Sequence, residues 1–310
     1  FPRKMRTLKY RPNTLIRVTG EDAFTFLQGQ FTNELRQPPG SAAYGLWLNQ
    51  KGKVLADSQV LRISENEFLI CGEFSPVAII RQRLEEYIVA DEVALADETA
   101  TGHALALWGE GGQEAIRRLI GEVPAPGRFV RNGELLVFCG RRLPGDNWVL
   151  LGPEKAVAEI REQLRACGAE DTDPAEMEFA RITAGLPVVP ADIGSGDLPN
   201  EGGLEDAAIS YTKGCYLGQE VMARLKNLGQ VRRQLRVVRG RGTPPVAQAA
   251  LYQGEKKVGE IRSVGSRADE FAALAMLSLV GASPTCAPRC SVAPPPSAAA
   301  RRSAMSARAM

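Results

Sequence analysis

An α+β chain with segregated helices and antiparallel strands is predicted by three observations. Apolar alternation runs through Tyr44, Leu46 and Leu48 and resumes from Val54 to Cys71 before a helical segment. A second set of short strands and helices occupies Ala104 to Ala166, and from Gly229 onward the pattern is strand-only.

The elements follow in order. Thr19 and Asp22 precede Phe24, Leu27 and Phe31, whose three-to-four spacing predicts a capped helix at about 21–30. Strands then run from Tyr44, turn at Gln50 to Lys53, and continue through Val54–Ile63 and Phe68–Cys71. Ser75 and Pro76 open a helix with Ile80, Leu84 and Ile88 on one face. The second unit reads as strand Ala104–Trp108, helix Gln113–Ile120, strands Leu135–Cys139 and Trp148–Leu151, and helix Pro153–Ala166. Val157, Ile160 and Leu164 form that helix's buried face. Asp173 and Pro174 cap a further helix ending at Gly185. Val231–Arg239 and Lys257–Val264 are strands of a small β-module. The domain boundaries predicted are 1–100, 101–228, 229–280, and a disordered, low-complexity tail at 281–310, rich in Ala, Pro, Ser and Arg.

The 310 residues are enough for two or three domains, and a net charge of +2 gives no global argument for nucleic acid or membrane binding. No apolar run reaches the length of a conventional membrane span, and the N-terminal FPRKMRTLKY lacks the apolar stretch of a secretory signal. Six cysteines, at 71, 139, 167, 215, 286 and 290, show no scaffold spacing and read as reduced cytoplasmic thiols. Cys286 and Cys290 are close in sequence but lack a second ligand pair, so no metal site is assigned. The single histidine, His103, excludes a Ser/His/Asp triad and multi-histidine metal sites, and it reads as a strand-edge residue. No GxGxxG or Walker-type loop occurs.

The most informative stretch is KGCYLGQE, Lys213 to Glu220. Cysteine reacts as thiolate, and a neighbouring ammonium lowers its pKa. Lys213 stands two residues before Cys215, while Gly214 and Gly218 bracket it and permit positive φ or a close approach. The alternative reading is a buried cysteine in a turn.

This octapeptide resembles the signature of the YgfZ family, folate-binding proteins related to the T-protein aminomethyltransferase of the glycine cleavage system. FLQGQFTNEL (26–35), NQKGKVLAD (49–57), RITAGLPVVPAD (181–192), LPNEGGLE (198–205) and GQVRRQL (229–235) resemble family blocks in the same order. The likeness spans roughly residues 10–280. It implies an aminomethyltransferase-like fold, with two ferredoxin-like α/β units around a central folate cleft and a small C-terminal β-barrel. The tail beyond 280 departs from that pattern.

The resemblance also assigns roles. Cys215 is the expected working thiol, with Lys213 favouring its thiolate, Gly214, Tyr216 and Gly218 shaping the motif, and Gln219 and Glu220 orienting the turn. Glu201, in LPNEGGL, matches the carboxylate that receives the pterin in the transferases; a loop acid is the alternative. Asp57 is the acid retained from a transferase acidic pair whose other member is replaced by Ala56. Arg181 is either a folate contact or the last-turn cation of its helix. The implied function is tetrahydrofolate binding in support of the assembly or repair of iron-sulfur enzymes. Transient contact with an iron-sulfur cluster is implied, and tRNA-modifying enzymes are affected indirectly.

Two rivals follow from the same residues. One is a folate-dependent aminomethyl transferase, the only enzymatic role expected, against which Ala56 counts. The other is direct tRNA binding through Arg224, Lys226, Arg232, Arg233, Arg236, Arg239 and Arg241, a run without the interleaved aromatics that stack bases.

Overall fold

The computed structural model describes residues 4–229, 231–279 and 291–292. The first sheet has the order β3-β4-β5-β2-β6, built from β2 (Thr14–Thr19), β3 (Ser41–Leu48), β4 (Val54–Arg62), β5 (Glu67–Gly72) and β6 (Ala94–Asp97). Its neighbouring strands all pair antiparallel. Helices α1 (Ala23–Gln30) and α2 (Val77–Glu85) cover one face, where Phe26, Leu27, Phe31, Trp47, Ala56, Phe68, Ile80 and Leu84 are buried together. Asp22 stands at the start of α1 as expected, but its carboxylate accepts the Glu92 N–H at 2.8 Å instead of capping the helix.

The second sheet has the order β11-β1-β7-β10-β9-β8. It comprises β1 (Arg6–Tyr10), β7 (Gly102–Trp108), β8 (Phe129–Asn132), β9 (Leu135–Cys139), β10 (Asn147–Pro153) and the short β11 (Glu170–Asp171). Helices α3 (Gly112–Ile120) and α4 (Glu154–Ala166) cover its outer face through Ile116, Ile120, Val157, Ile160 and Leu164. The inner faces of the two sheets meet through Leu15, Leu61 and Leu69 on one side and Leu136, Phe138 and Leu151 on the other. Period-two alternation lets each strand feed two cores: even positions of β9 face the other sheet and odd positions face the helices.

Two assignments made from sequence need correction. The boundary at residue 100 does not divide the sheets, because β1 pairs with β7 over five residues and carries the N-terminus into the second sheet. Residues 189–222, placed with the second unit, pack on the first: Leu46, Leu48 and Val54 extend past the sheet-to-sheet contact and are covered by Val189, Ile193, Ile209, Tyr216 and Met222.

Helix α5 (Pro174–Thr183) starts as predicted, with Asp173 accepting from Ala175 N at 2.7 Å and Pro174 in the first turn. A 3-10 turn at Pro199–Glu201, the short α6 (Glu205–Ala208) and α7 (Gln219–Leu228) follow. The C-terminal module is an antiparallel sheet, β12-β15-β14-β13-β16, of β12 (Arg233–Arg241), β13 (Ala250–Gln253), β14 (Lys256–Arg267), β15 (Glu270–Ser278) and β16 (Ser291–Val292). The pairing of β16 with β13 falls within the segment expected to be disordered; the rest of that segment, including Cys286 and Cys290, lies outside the described residues. No helix among the described residues is long and apolar enough to cross a membrane.

The C-terminal sheet docks on α5 at Gly265, where a Cβ would stand 2.9 Å from Phe179 Cα. Backbone occupies that space and cannot swing aside. Gly265→Ala is therefore expected to destabilise by about 1–3 kcal/mol, measured by urea unfolding, with hydrogen exchange rising first in β14 and β15. Unchanged exchange there would show that the docking does not depend on this contact.

Candidate functional site

The Cys215 loop is built around the end of α1. A helix leaves its last carbonyls without intrahelical partners, and α1 has no basic residue in its last turn. Lys213 supplies the cation from far along the chain: its Nζ donates to the carbonyls of Gln28 at 2.8 Å, Phe31 at 2.6 Å and Asn33 at 2.9 Å. All three ammonium protons are thereby used. Leu217 N donates to Gly29 O at 3.2 Å, and Ser210 N to Thr32 O at 3.0 Å. Tyr216 is buried in the core beneath the loop. Cys215, between these anchors, is exposed.

The expected partnership of Lys213 with Cys215 is thus corrected. Lys213 is only 5% exposed and its ammonium is committed to backbone carbonyls, so it holds the loop rather than stabilising a thiolate. Burial lowers its pKa from the ordinary 10.5 to about 8. The two glycines also separate. Gly218 has φ +86° at the start of α7, and a Cβ there would lie 3.0 Å from Asn49 O and 3.3 Å from Gly52 Cα. It seats α7 on the β3–β4 turn. Gly214 has open space around it, and nothing among the described residues requires a glycine there. Gln219 N donates to Tyr216 O at 3.1 Å, closing the turn, and Glu220 lies exposed in the first turn of α7, where the helix dipole favours an acid.

Asp57 belongs to a different place. It faces a chamber between the two sheets, lined also by Tyr10, Tyr44, Gln59, Phe138 and Arg141. Its Oδ1 accepts from Ser75 Oγ at 2.7 Å and its Oδ2 from Tyr44 OH at 3.0 Å. Burial raises its pKa, opposed by those hydrogen bonds. Arg141 stacks 3.7 Å from the Tyr44 ring centroid. Gln59 Oε1 lies in the same wall, buried and without a partner. Ala56, one residue earlier, points to the opposite face and is fully buried among the helix-packed core. An acid at 56 would enter an apolar core, so its loss says nothing about chemistry in the chamber.

Glu201 is engaged elsewhere, and Arg181, which lines the Asp57 chamber, is held there by ion pairs of its own. Both Glu201 oxygens accept from Arg233, at 2.9 and 2.8 Å, and one also accepts Leu198 N at 2.8 Å. Arg233 and Arg262 each reach Asp197 at 3.2 Å, so this network ties the C-terminal sheet to the 3-10 turn. Arg181 is buried and donates to Asp192 at 2.8 Å and to Leu186 O at 2.6 Å. The structure therefore separates Cys215, Asp57 and Glu201 instead of gathering them around one ligand. Tyr44, Gln59 and Arg141 were missed: the first two alternate with core positions as ordinary strand residues do, and the only signal for Arg141 was an Arg-Arg pair following a strand. Of the basic run, Arg239 donates to Thr183 O at 3.1 Å and Arg241 pairs with Glu270 at 3.4 Å, which with Arg233 leaves a smaller free patch. Among the described residues no group of three or more His, Cys, Asp or Glu is placed to hold a metal ion.

Lys213→Met strands three carbonyls and is expected to cost about 2–4 kcal/mol. The folded-state pKa of Lys213 lies below its unfolded value, so between pH 8 and 10.5 the unfolded chain binds more protons and stability rises with pH. Urea unfolding of both proteins across that window should show the wild type gaining relative to the variant. A constant difference would contradict the buried, charged lysine.

The profile of the GCVT N-terminal domain matches residues 12–127. The tRNA-modifying protein YgfZ of Colwellia psychrerythraea is 25% identical over 259 residues, covering 79% of this chain and 76% of that protein. The mouse mitochondrial iron-sulfur cluster assembly factor IBA57 is 28% identical over 252 residues, covering 75% of this chain and 66% of that one. Among solved structures, aminomethyltransferase T of the glycine cleavage system from Bartonella henselae superposes with a TM-score of 0.77 at 18% identity, covering 89% of this chain and 79% of that one. The fold is that of the aminomethyltransferases, and over about three-quarters of its length the chain is similar to YgfZ proteins, as the order of motif blocks around KGCYLGQE led one to expect.

Proposed function

We propose that this chain is a cytoplasmic factor that supports the assembly or repair of iron-sulfur enzymes, with Cys215 as its working thiol and a reduced folate in the Asp57 chamber. The observation that carries the reading is an exposed thiol on a loop pinned from both sides by Lys213, Ser210, Tyr216 and Leu217. Such a thiol is presented to something brought by another molecule. A cluster delivered by a client protein would gain one thiolate ligand as Cys215 gives its proton to solvent. One thiol cannot hold a cluster alone, so the remaining ligands come from the client. Effects on tRNA then arise through iron-sulfur enzymes that modify it. The names of the YgfZ and IBA57 relatives support both halves of this reading.

The donor set of the chamber suits the aminopyrimidine edge of a pterin. Each Asp57 oxygen keeps a free lone pair, and Gln59 Oε1 is an unused acceptor. Bound there, a reduced folate would supply a one-carbon carrier, while Asp57, Gln59 and Tyr44 would orient it and the two sheets would exclude water. One-carbon transfer is the second reading, favoured by the retention of Asp57 in the chamber. Glycine-cleavage turnover with a lipoylated carrier protein would establish it.

The decisive experiment is complementation of an iron-sulfur enzyme defect. Cys215→Ser should lose complementation while keeping the wild-type melting temperature and its affinity for tetrahydrofolate. A fully active serine variant would remove the thiol from the mechanism. Asp57→Asn should weaken tetrahydrofolate by about tenfold, the cost of one charged hydrogen bond; wild type that fails to bind it would end the folate assignment.

A further inference from the structure

Arg83, on α2, is 4% exposed, and its Nε donates to Leu48 O at 3.1 Å. Its Nη1 and Nη2 are both buried without a hydrogen-bond partner, and among the described residues no other side chain has two such atoms. Burial lowers its pKa, opposed by Tyr87 and Glu86. A buried charge is normally closed by an opposite one. Arg181, equally buried, shows the ordinary solution, with Glu178, Asp192 and Leu186 O around its guanidinium. Arg83 has no such acid: Glu85 pairs with Arg81 at 2.7 Å, and Glu86 accepts from Gln82 at 3.0 Å.

The geometry specifies what would close it. With Nε spent on Leu48 O, the free edge of the guanidinium is its end, Nη1 beside Nη2. Two N–H groups side by side match two oxygens of one carboxylate or phosphate, and such charge-assisted, two-pronged contacts are among the strongest hydrogen-bonded pairs. The Tyr87 ring centroid lies 4.2 Å from Arg83 Cζ, so the ring stacks on the guanidinium and leaves the in-plane contact to another group. Tyr87 is half-buried, just past the end of α2, and Gln50 Nε2 reaches its hydroxyl at 3.4 Å, near the outer limit of a hydrogen bond. The ring is a cover that a ligand can displace.

The position matters as much as the chemistry. Leu48 receives Arg83 through its carbonyl, and Gly218 packs against the same stretch, where a Cβ would stand 3.3 Å from Leu48 Cβ and 3.0 Å from Asn49 O. No side chain caps α7 at Gly218, so the positive end of that helix adds to the field of Arg83, as does Lys51 on the turn, against Glu220 in the first turn of α7.

We propose that Arg83 is the receptor of a small oxyanion, whose carboxylate or phosphate group is held by Nη1 and Nη2 once the Tyr87 ring swings aside, and that its occupation tightens the β3–β4 turn on which α7 and the Cys215 loop are seated. The site lies on the helix-covered face of the first sheet, opposite the face that carries Asp57, and draws on neither the thiol nor the folate assignment.

Inorganic phosphate and acetate, each titrated against chloride at constant ionic strength, are the probes, with the melting temperature and hydrogen exchange of the full chain as readouts. Wild type should melt higher along a saturable curve with at least one of them, and exchange should slow at 48–53 and 218–222. A response to phosphate alone assigns a phosphate group, and a response to acetate alone a carboxylate. Arg83→Met should lose the response, and Arg83→Lys, which keeps the charge without the paired edge, should weaken it about tenfold. Wild type that responds to neither anion overturns the site, an outcome that needs no variant to fold. So does an Arg83→Met variant that responds as wild type does. Slowed exchange confined to other segments would overturn the coupling to α7.

Discussion

Helix α1 ends on carbonyls that its own backbone cannot satisfy, and the ammonium of Lys213 closes them from about 180 residues away. A lysine buried for its charge alone would be costly; here three short hydrogen bonds and the negative end of the helix dipole offset part of the desolvation, which still lowers its pKa. Because Lys213 is fixed, Ser210 and Leu217 fall beside Thr32 and Gly29, and Tyr216 is placed in the core that covers β3 and β4. The exposed position of Cys215 follows from that sequence of constraints. The lysine of the motif is therefore the anchor of the loop, and the cysteine is what the anchor displays.

A second constraint is the back-to-back arrangement of the two sheets. Each buries helices on its outer face and the other sheet on its inner face, so polar residues on the inner faces survive only where the sheets part. Asp57, Tyr44 and Gln59 occupy such a place; Asp57 accepts from Tyr44 and Ser75, and Gln59 Oε1 is left without a partner. The fold thereby yields a polar chamber without a separate scaffold for it. The carboxylate Glu201 was drawn instead into the attachment of the C-terminal sheet, where Arg233 binds it and Arg233 and Arg262 both reach Asp197.

Much of the local structure was legible in the residues. The Asp173-Pro174 start of α5, the four-residue spacing of Ile80 and Leu84, and the alternation across β3 to β5 all depend on neighbours within a few positions. The short strands β6, β8 and β11 were not legible, because two to four residues carry too little alternation to register. Nor was the membership of β1 in the second sheet, since nothing in RTLKY distinguishes one pairing partner from another. The thiol motif and Asp57 were found as residues, but their separation was not.

The sequence by itself determined the α+β class, the positions of the longer helices and strands, the reactive-looking cysteine and the family to which the motif blocks point. These properties reside in side-chain period, capping residues and short motifs, all of which are local. Only the tertiary structure decided that Lys213 serves α1, that Ala56 faces the core while Asp57 faces the chamber, and that Glu201 and Arg181 are held in ion pairs. Each of these turns on which distant partner satisfies a charge or a hydrogen bond, and that choice is made when the chain folds back on itself, across separations that no local pattern encodes.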